Sequence, residues 1–332
     1  MIVLLVSAAI ACFLAVSTAT EAEHKLCGRY QSYTTWPYIV NNNAWNQDDS
    51  GGICTHVCDT CPKGAVSLYS LWNWTSSPPA VHAYPNVEFR SDRLPLRLGD
   101  LLSLNVSASW AFGPATFSEE AARDPNSPED LAYINSNNVQ ANVVLDVFAD
   151  EDRKKSQTPS KQKYEFMVWV GQFGTASQPV GNRTPRDPPV IARISNIDLQ
   201  VFTLWNGTNS NGQYVYSWIA NETLTEFDMD FAPLIGFLSQ EEGVSEDVYL
   251  GTIQFGHETF LAASQMNFSI SSYAADITPN RQIGDSTSKP TASLPVATKV
   301  SAASQPCQFW IDPRWSLWIS GVSFLIGFGA LL

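Results

Sequence analysis

Tyr164-Glu165-Phe166-Met167-Val168-Trp169-Val170-Gly171 is the stretch on which the reading of this chain turns. It is aromatic and β-branched, with no turn residue before Gly171, so it reads as a strand. Alternation puts Glu165, Met167 and Trp169 on one face and Tyr164, Phe166 and Val168 on the other. A carboxylate flanked on its own face by Met and Trp is costly to bury unless it has a task.

Working outward, runs of the same kind recur at Leu104 to Phe112, Val143 to Phe148, Ile191 to Leu204, Gln213 to Ile219, Tyr249 to Phe255 and Asn267 to Ile277. Most are separated by Gly, Pro or Asn, which is the pattern of an all-β sandwich or barrel. One segment departs from it. Phe227, Phe231, Leu234, Ile235 and Leu238 fall at helical spacing before Gly243, so a single amphipathic helix is expected to pack on the sheets. Ser118 to Asn137 and Ala149 to Lys163 read as surface insertions. The run Arg153-Lys154-Lys155 in the second reads as a solvated loop.

Two further carboxylates sit in apolar strands: Asp146 inside Val144-Leu145-Asp146-Val147-Phe148, and Glu258 inside Gly256-His257-Glu258-Thr259-Phe260. Three such groups lining one groove, beside flat aromatic rings, suit glycoside hydrolysis. One acid protonates the leaving oxygen, one carboxylate attacks or activates water, and the rings stack on sugars.

Of the 332 residues 44% are apolar, 12% aromatic and 15% charged, with 32 acidic against 19 basic side chains and a net charge of −13. That apolar content can offset the entropy of ordering a core, so the chain is not disordered throughout. The negative balance argues against nucleic acid as a partner, because phosphate binding needs clustered cations.

The ends read as processing segments. Ile2 to Val16 is nearly all apolar and is followed by Ser17-Thr18-Ala19, so residues 1–19 are expected to be a secretory signal. Trp315 to Leu332 is uncharged and apolar. With a spacer before it and the small residues Ser301, Ala302, Ala303 and Ser304 upstream, residues 305–332 read as a glycolipid (GPI) attachment signal, or else as a plain membrane anchor. Residues 278–304, rich in Ser, Thr and Pro, read as a stalk, and 25–277 as the folded domain. The expected location is the cell surface, with the membrane reached through the C-terminal tail. N-x-Ser/Thr sequons at Asn73, Asn105, Asn182, Asn206, Asn221 and Asn267 suit the secretory route.

The chain has six cysteines. Removing Cys12 with the signal and Cys307 with the tail leaves Cys27, Cys54, Cys58 and Cys61. The Cys54-x3-Cys58-x2-Cys61 spacing could hold a metal, but the oxidising route favours disulfides. Four cysteines allow three connectivities, and spacing does not choose among them.

These residues resemble glycoside hydrolase family 12, the concanavalin-like jelly-roll endoglucanases and xyloglucan hydrolases. Tyr38 to Trp45 (YIVNNNAW) is similar to that family's Tyr-x-Val-x-Asn-Asn-x-Trp segment. Trp72-Asn73-Trp74 with Tyr84-Pro85-Asn86 looks like its Trp-x-Trp strand and Tyr-Pro-Asn turn. Tyr164 to Gly171 resembles its nucleophile strand. Gly256 to Phe260 stands where the family has Gly-Thr-Glu-Pro-Phe.

The resemblance implies a two-sheet antiparallel sandwich with a concave cleft and a monomer working without metal or organic cofactor. The implied substrate is a β-1,4-glucan or xyloglucan. Glu165 would be the nucleophile, Glu258 the acid/base, and Asp146 the hydrogen-bonding support of Glu165. Asn43 and Trp45 would bind the sugar on the non-reducing side, Met167 would pack under the reacting sugar, and Trp169 would also bind substrate. A retaining pair implies carboxyl groups about 5–5.5 Å apart. The negative nucleophile would then keep Glu258 protonated, and the working pH would be acidic. It further implies a Cys27–Cys54 disulfide, leaving Cys58 with Cys61. His257, Thr259 and Phe255 depart from the family pattern, and alternation points His257 away from the groove. Asn73 would face opposite to Trp72 and Trp74, so a glycan there would leave those rings free to stack. A carbohydrate-binding protein or a transglycosylase on the same scaffold is the alternative reading.

Overall fold

Alternating burial builds two layers. The computed structural model describes residues 23–58, 66–115, 124–158, 160–181, 190–194, 200–280 and 298–299. The secretory signal, nearly all of the stalk and the tail fall outside them. The strands of the first half are β1 (Glu23–Leu26), β2 (Ser32–Thr35), β3 (Tyr38–Asn41), β4 (Gly52–Cys58), β5 (Leu68–Trp74), β6 (Asn86–Phe89), β7 (Leu96–Arg97) and β8 (Leu101–Pro114). Then come α1 (Pro128–Ser136), β9 (Gln140–Asp150), β10 (Tyr164–Phe173), β11 (Val190–Ile194), β12 (Gln200–Thr208), β13 (Tyr214–Ala220), β14 (Glu226–Asp230), α2 (Ala232–Glu241), β15 (Tyr249–Pro279) and β16 (Thr298–Lys299).

One layer runs β1-β4-β5-β15-β8-β14. The other runs β2-β3-β6-β15-β9-β10-β13-β12-β11, antiparallel except for the parallel β10–β13 pair. The 31-residue β15 belongs to both. Its first half pairs with β9, and its second half pairs with β5 and β8. Register shifts between Thr259 and Leu261 and between Ala262 and Met266 lie where it passes from one layer to the other. Bulges of this kind let a strand bend without losing its ladder. The strand alternation predicted a sandwich or barrel, and the resemblance implied the jelly-roll sandwich that is found.

Three expectations are corrected. Tyr249 to Phe255 and Asn267 to Ile277 are one strand, whereas Ile191 to Leu204 is two. The helix begins at Ala232, and Phe227 belongs to β14, buried opposite Ala108. A spacing of four fits both a helical turn and two strand repeats, so Phe227 and Phe231 could not tell the two apart. A second helix, α1, lies in a predicted insertion. Ser127 caps it by accepting from the Asp130 N–H at 3.2 Å, with Pro128 in its first turn.

Candidate active site

β9 and β10 lie mid-sheet and are buried on both faces, and alternation divides their side chains between two clusters. Val143, Leu145, Val147, Phe166, Val168 and Val170 enter the large core between the layers. Val144, Met167 and Trp169 join Tyr84 and Val215 in a small separate cluster on the other face. That second cluster lies on the face of the sheet that carries the carboxylates. The pairing sets Asp146 opposite both Met167 and Gln254, and Asn142 opposite Glu258. The carboxylates of three strands thereby share one face.

Their electrostatics interlock. Asp146 is 3% exposed, and burial raises its pKa well above the carboxylate range, reinforced by the charges of Glu165 and Glu258 and by its hydrogen bond to Glu165. Burial also raises Glu165, but there the hydrogen bonds from Asp146 and Asn209 oppose it. The proton of this pair therefore sits on Asp146, which donates, and Glu165 is the carboxylate that accepts. Glu258 is pushed up to about 7, mainly by burial and further by the charge of Glu165, with Asn142 pulling the other way. A carboxyl whose donors favour its charged form, beside one whose proton affinity is raised to about 7, gives the division of labour that acid–base and nucleophilic work requires. Among the described residues no group of three His, Cys, Asp or Glu converges as a metal site would need.

Two asparagines absent from the sequence reading hold these groups. Asn209 Nδ2 donates to Glu165 Oε2 at 3.1 Å, while its Oδ1 accepts the N–H groups of Asn211 and Gln213, each at 3.0 Å. Asn142 Nδ2 donates to Glu258 Oε2 at 2.5 Å, and Asn142 Oδ1 accepts the Glu258 N–H at 3.1 Å. The period-2 series Asn142, Val144, Asp146 carried a signal for Asn142. Asn209 lies in the β12–β13 turn, where no periodicity points to it. Tyr84 was quoted only as part of a turn. Its hydroxyl bridges the carbonyls of Val144 and Gln254 at 3.4 and 3.3 Å, tying β9 to β15 beneath the carboxylates.

Gly256 permits a close approach behind Glu258: a Cβ there would lie 2.1 Å from the Pro85 carbonyl oxygen. Next along β15, Thr259 Oγ1 accepts from the Trp74 indole at 2.9 Å and donates to the Ala83 carbonyl at 3.3 Å. Its N–H also reaches that carbonyl, at 3.0 Å, a bond that a proline could not make.

Asn43, at φ 37°, gives its carbonyl to the Tyr84 N–H at 3.0 Å. Asparagine tolerates this left-handed backbone. Trp45 is 46% exposed on the following loop. That loop is pinned through His82: its carbonyl takes the Asn46 N–H at 3.0 Å, its Nδ1 meets the Asn46 carbonyl at 3.1 Å, and its Nε2 meets Ser76 Oγ at 2.7 Å. Since a carbonyl only accepts, Nδ1 carries a hydrogen. Met167 and Trp169 lie deep in the second cluster, at 5% and 3% exposure. The expectation that Trp72 and Trp74 are free to stack on sugar is overturned, because both are fully buried in the core.

His257 points away from the cleft, as alternation required. It is fully buried among the rings of Phe268, Phe112 and Trp72, with neither ring nitrogen partnered, and burial lowers its pKa to about 3. Cys27 and Cys54 form the disulfide that the resemblance implied. Cys61, the implied partner of Cys58, lies outside the described residues, as do Asn182 and Ser301, Ala302, Ala303 and Ser304. Asn105, Asn206 and Asn221 are exposed and Asn73 is half-buried. Asn267 is only 9% exposed, so the folded domain leaves little room for a glycan at that sequon.

Comparison with known proteins agrees with this geometry. A family model described as glycosyl hydrolase family 12 matches residues 125–278. The chain is 30% identical over 273 residues to a probable xyloglucan-specific endo-β-1,4-glucanase A of Aspergillus clavatus, covering 81% of this chain and 98% of that protein. It is 27% identical over 268 residues to the xyloglucan-specific endo-β-1,4-glucanase A of Emericella nidulans, covering 80% and 95%. Among solved structures, endoglucanase 3 of Trichoderma harzianum superposes with a TM-score of 0.60 at 22% identity, covering 77% of this chain and 98% of that one.

Proposed function

The chain belongs to glycosyl hydrolase family 12 and is a glycoside hydrolase; within that family we propose that it is a retaining endo-β-1,4-glucanase acting on cellulose-like β-glucan or xyloglucan. The observation that carries this reading is the placing of Asp146, Glu165 and Glu258 on one face, with Asn209 donating to Glu165 and Asn142 to Glu258; burial holds Glu258 up to about 7, while donors from Asp146 and Asn209 favour the charged form of Glu165. In the first step Glu165 attacks the anomeric carbon while Glu258 gives its proton to the departing glycosidic oxygen. The bond from that carbon to the leaving oxygen breaks, and a glycosyl ester of Glu165 remains. In the second step Glu258, now a carboxylate, takes a proton from water as the water displaces Glu165. Glu165 leaves as a carboxylate with the electron pair of the broken ester bond, and Asp146, keeping its proton throughout, stabilises it by donating a hydrogen bond. Trp45 and Asn43 bind the non-reducing side, Met167 packs under the reacting sugar, and Trp169 also binds substrate.

The names of the relatives favour xyloglucan as substrate. The test is a product profile on β-glucan, carboxymethylcellulose, xyloglucan and xylan at mildly acidic pH, with the anomer of the first product followed by NMR. Retention with loss of turnover in Glu165→Gln supports the mechanism. An inverted first product, or unchanged reducing-sugar release in that variant, refutes it. Longer chains formed from a labelled acceptor mark a transglycosylase instead.

The same reading places the enzyme outside the cell as a monomer on a glycosylated stalk, tethered by a lipid added near Ser301 to Ser304. An apolar N-terminus, a Ser/Thr/Pro-rich spacer and an uncharged C-terminal run support it. Release from cells by a phosphatidylinositol-specific phospholipase is the expected outcome, and retention in the membrane points to a spanning tail.

A further inference from the structure

Asn142 is fully buried, lies directly opposite Glu258 in the ladder, and touches it at two points. The Glu258 backbone N–H has only a hydrogen to offer, so the atom of Asn142 that meets it at 3.1 Å must be the amide oxygen. That contact fixes the rotation of the amide. The NH2 group then faces Glu258 Oε2 at 2.5 Å, and it can only donate. A proton on Oε2 would set donor against donor.

We propose that Asn142 is a positioning residue that reserves Oε2 of Glu258 as an acceptor and so confines the transferable proton to Oε1. This rests on the reading of Glu258 as the acid/base. In the first step the proton leaves Oε1 for the glycosidic oxygen as the bond to the anomeric carbon breaks, and in the second Oε1 recovers a proton from water. The carboxyl does not rotate between steps, because Asn142 holds Oε2 whether the group is acid or carboxylate. The other groups facing Glu258 are Asp146 from β9, Glu165 from β10 and Tyr84 from the turn before β6, each of which enters the same electrostatic cluster. None of them is backed by a backbone contact to Glu258 itself, which is what gives Asn142 its directional role.

The test uses the full secreted chain carrying Asn142→Ala. Asn142→Ser, whose hydroxyl is too short to reach Oε2, serves as a second variant should the first fail to fold. Turnover of glucan is expected to fall about 10- to 100-fold, less than the roughly 10²–10⁴-fold that outright loss of a general acid costs, because Glu258 itself remains. Hydrolysis of 2,4-dinitrophenyl β-cellobioside, whose leaving group needs no proton, is expected to fall far less. KM is expected to hold, and the alkaline limb of kcat/KM is expected to move to higher pH, since a carboxylate that loses a donor keeps its proton longer. Equal losses on both substrates, or an alkaline limb that stays in place, overturn the proposal. Glu258→Gln is the control on the parent reading. If it hydrolyses glucan at the wild-type rate, the assignment of Glu258 itself has failed, whatever Asn142 does.

Discussion

His257 and Glu258 are neighbours on β15 and face opposite sides of the same sheet. Glu258 meets an amide and the charge of a second carboxylate, and burial pushes its pKa up to about 7. His257 meets only aromatic rings, has no partner for either nitrogen, and stays neutral down to about pH 3. Burial dominates both shifts, yet only one of them supports chemistry. Desolvation by itself makes a group inert; desolvation beside positioned donors and charges makes it a tuned acid.

The sharpest way to break this contrast is on the cleft side. Glu258→Gln is expected to lower glucan turnover by on the order of 10²–10⁴-fold, measured by reducing-sugar release. It is not expected to destabilise the fold. A carboxyl raised to about 7 from about 4.5 contributes stability that is complete below 4.5 and lost as pH climbs through 7. Denaturant unfolding of the variant is therefore expected to depend less on pH between 5 and 8.

On the core side the sign reverses. A histidine lowered from 6.5 to about 3 contributes stability that is present above 6.5 and lost as pH falls towards 3. The expected slope is about 1.4 kcal/mol per pH unit from this one group. His257→Phe is expected to flatten the acid limb of unfolding and to leave glucan turnover within about twofold, since surface and core changes away from the chemistry act through stability. An acid limb unchanged in that variant would mean that His257 is not the group being titrated.

A smaller effect is expected at Glu165. Asn209→Ala removes a donor to the carboxylate, so the acid limb of kcat/KM is expected to move up in pH with turnover down about tenfold. The smallest stability effect is expected at Trp45, which is on the surface. Trp45→Ala is expected to change unfolding free energy by less than about 0.5 kcal/mol while raising KM for soluble glucan.

Much of this contrast was legible before any coordinates. Alternation along Tyr164 to Trp169 assigned Glu165, Met167 and Trp169 to one face, and the two clusters divide along that line. The same rule turned His257 inward. It failed for Trp72 and Trp74, because the two share a face but nothing local says whether that face meets sugar or another sheet. It failed at Phe227 because the helical and strand periods coincide over four residues. Asn209 was invisible, since its contact with Glu165 joins a turn to a strand far away in sequence.

The sequence by itself determined which residues share a face, the strands on which the three carboxylates lie, and the class of fold that buries so many aromatic rings. These follow from a two-residue period and from side-chain chemistry, both local. Only the tertiary structure decided that Asp146 donates to Glu165 within their shared pair, and that Asn142 and Asn209 aim their amides at Glu258 and Glu165. Proton affinity depends on the charges and donors within a few ångströms, and here β9, β10, β15 and the β12–β13 turn supply them together.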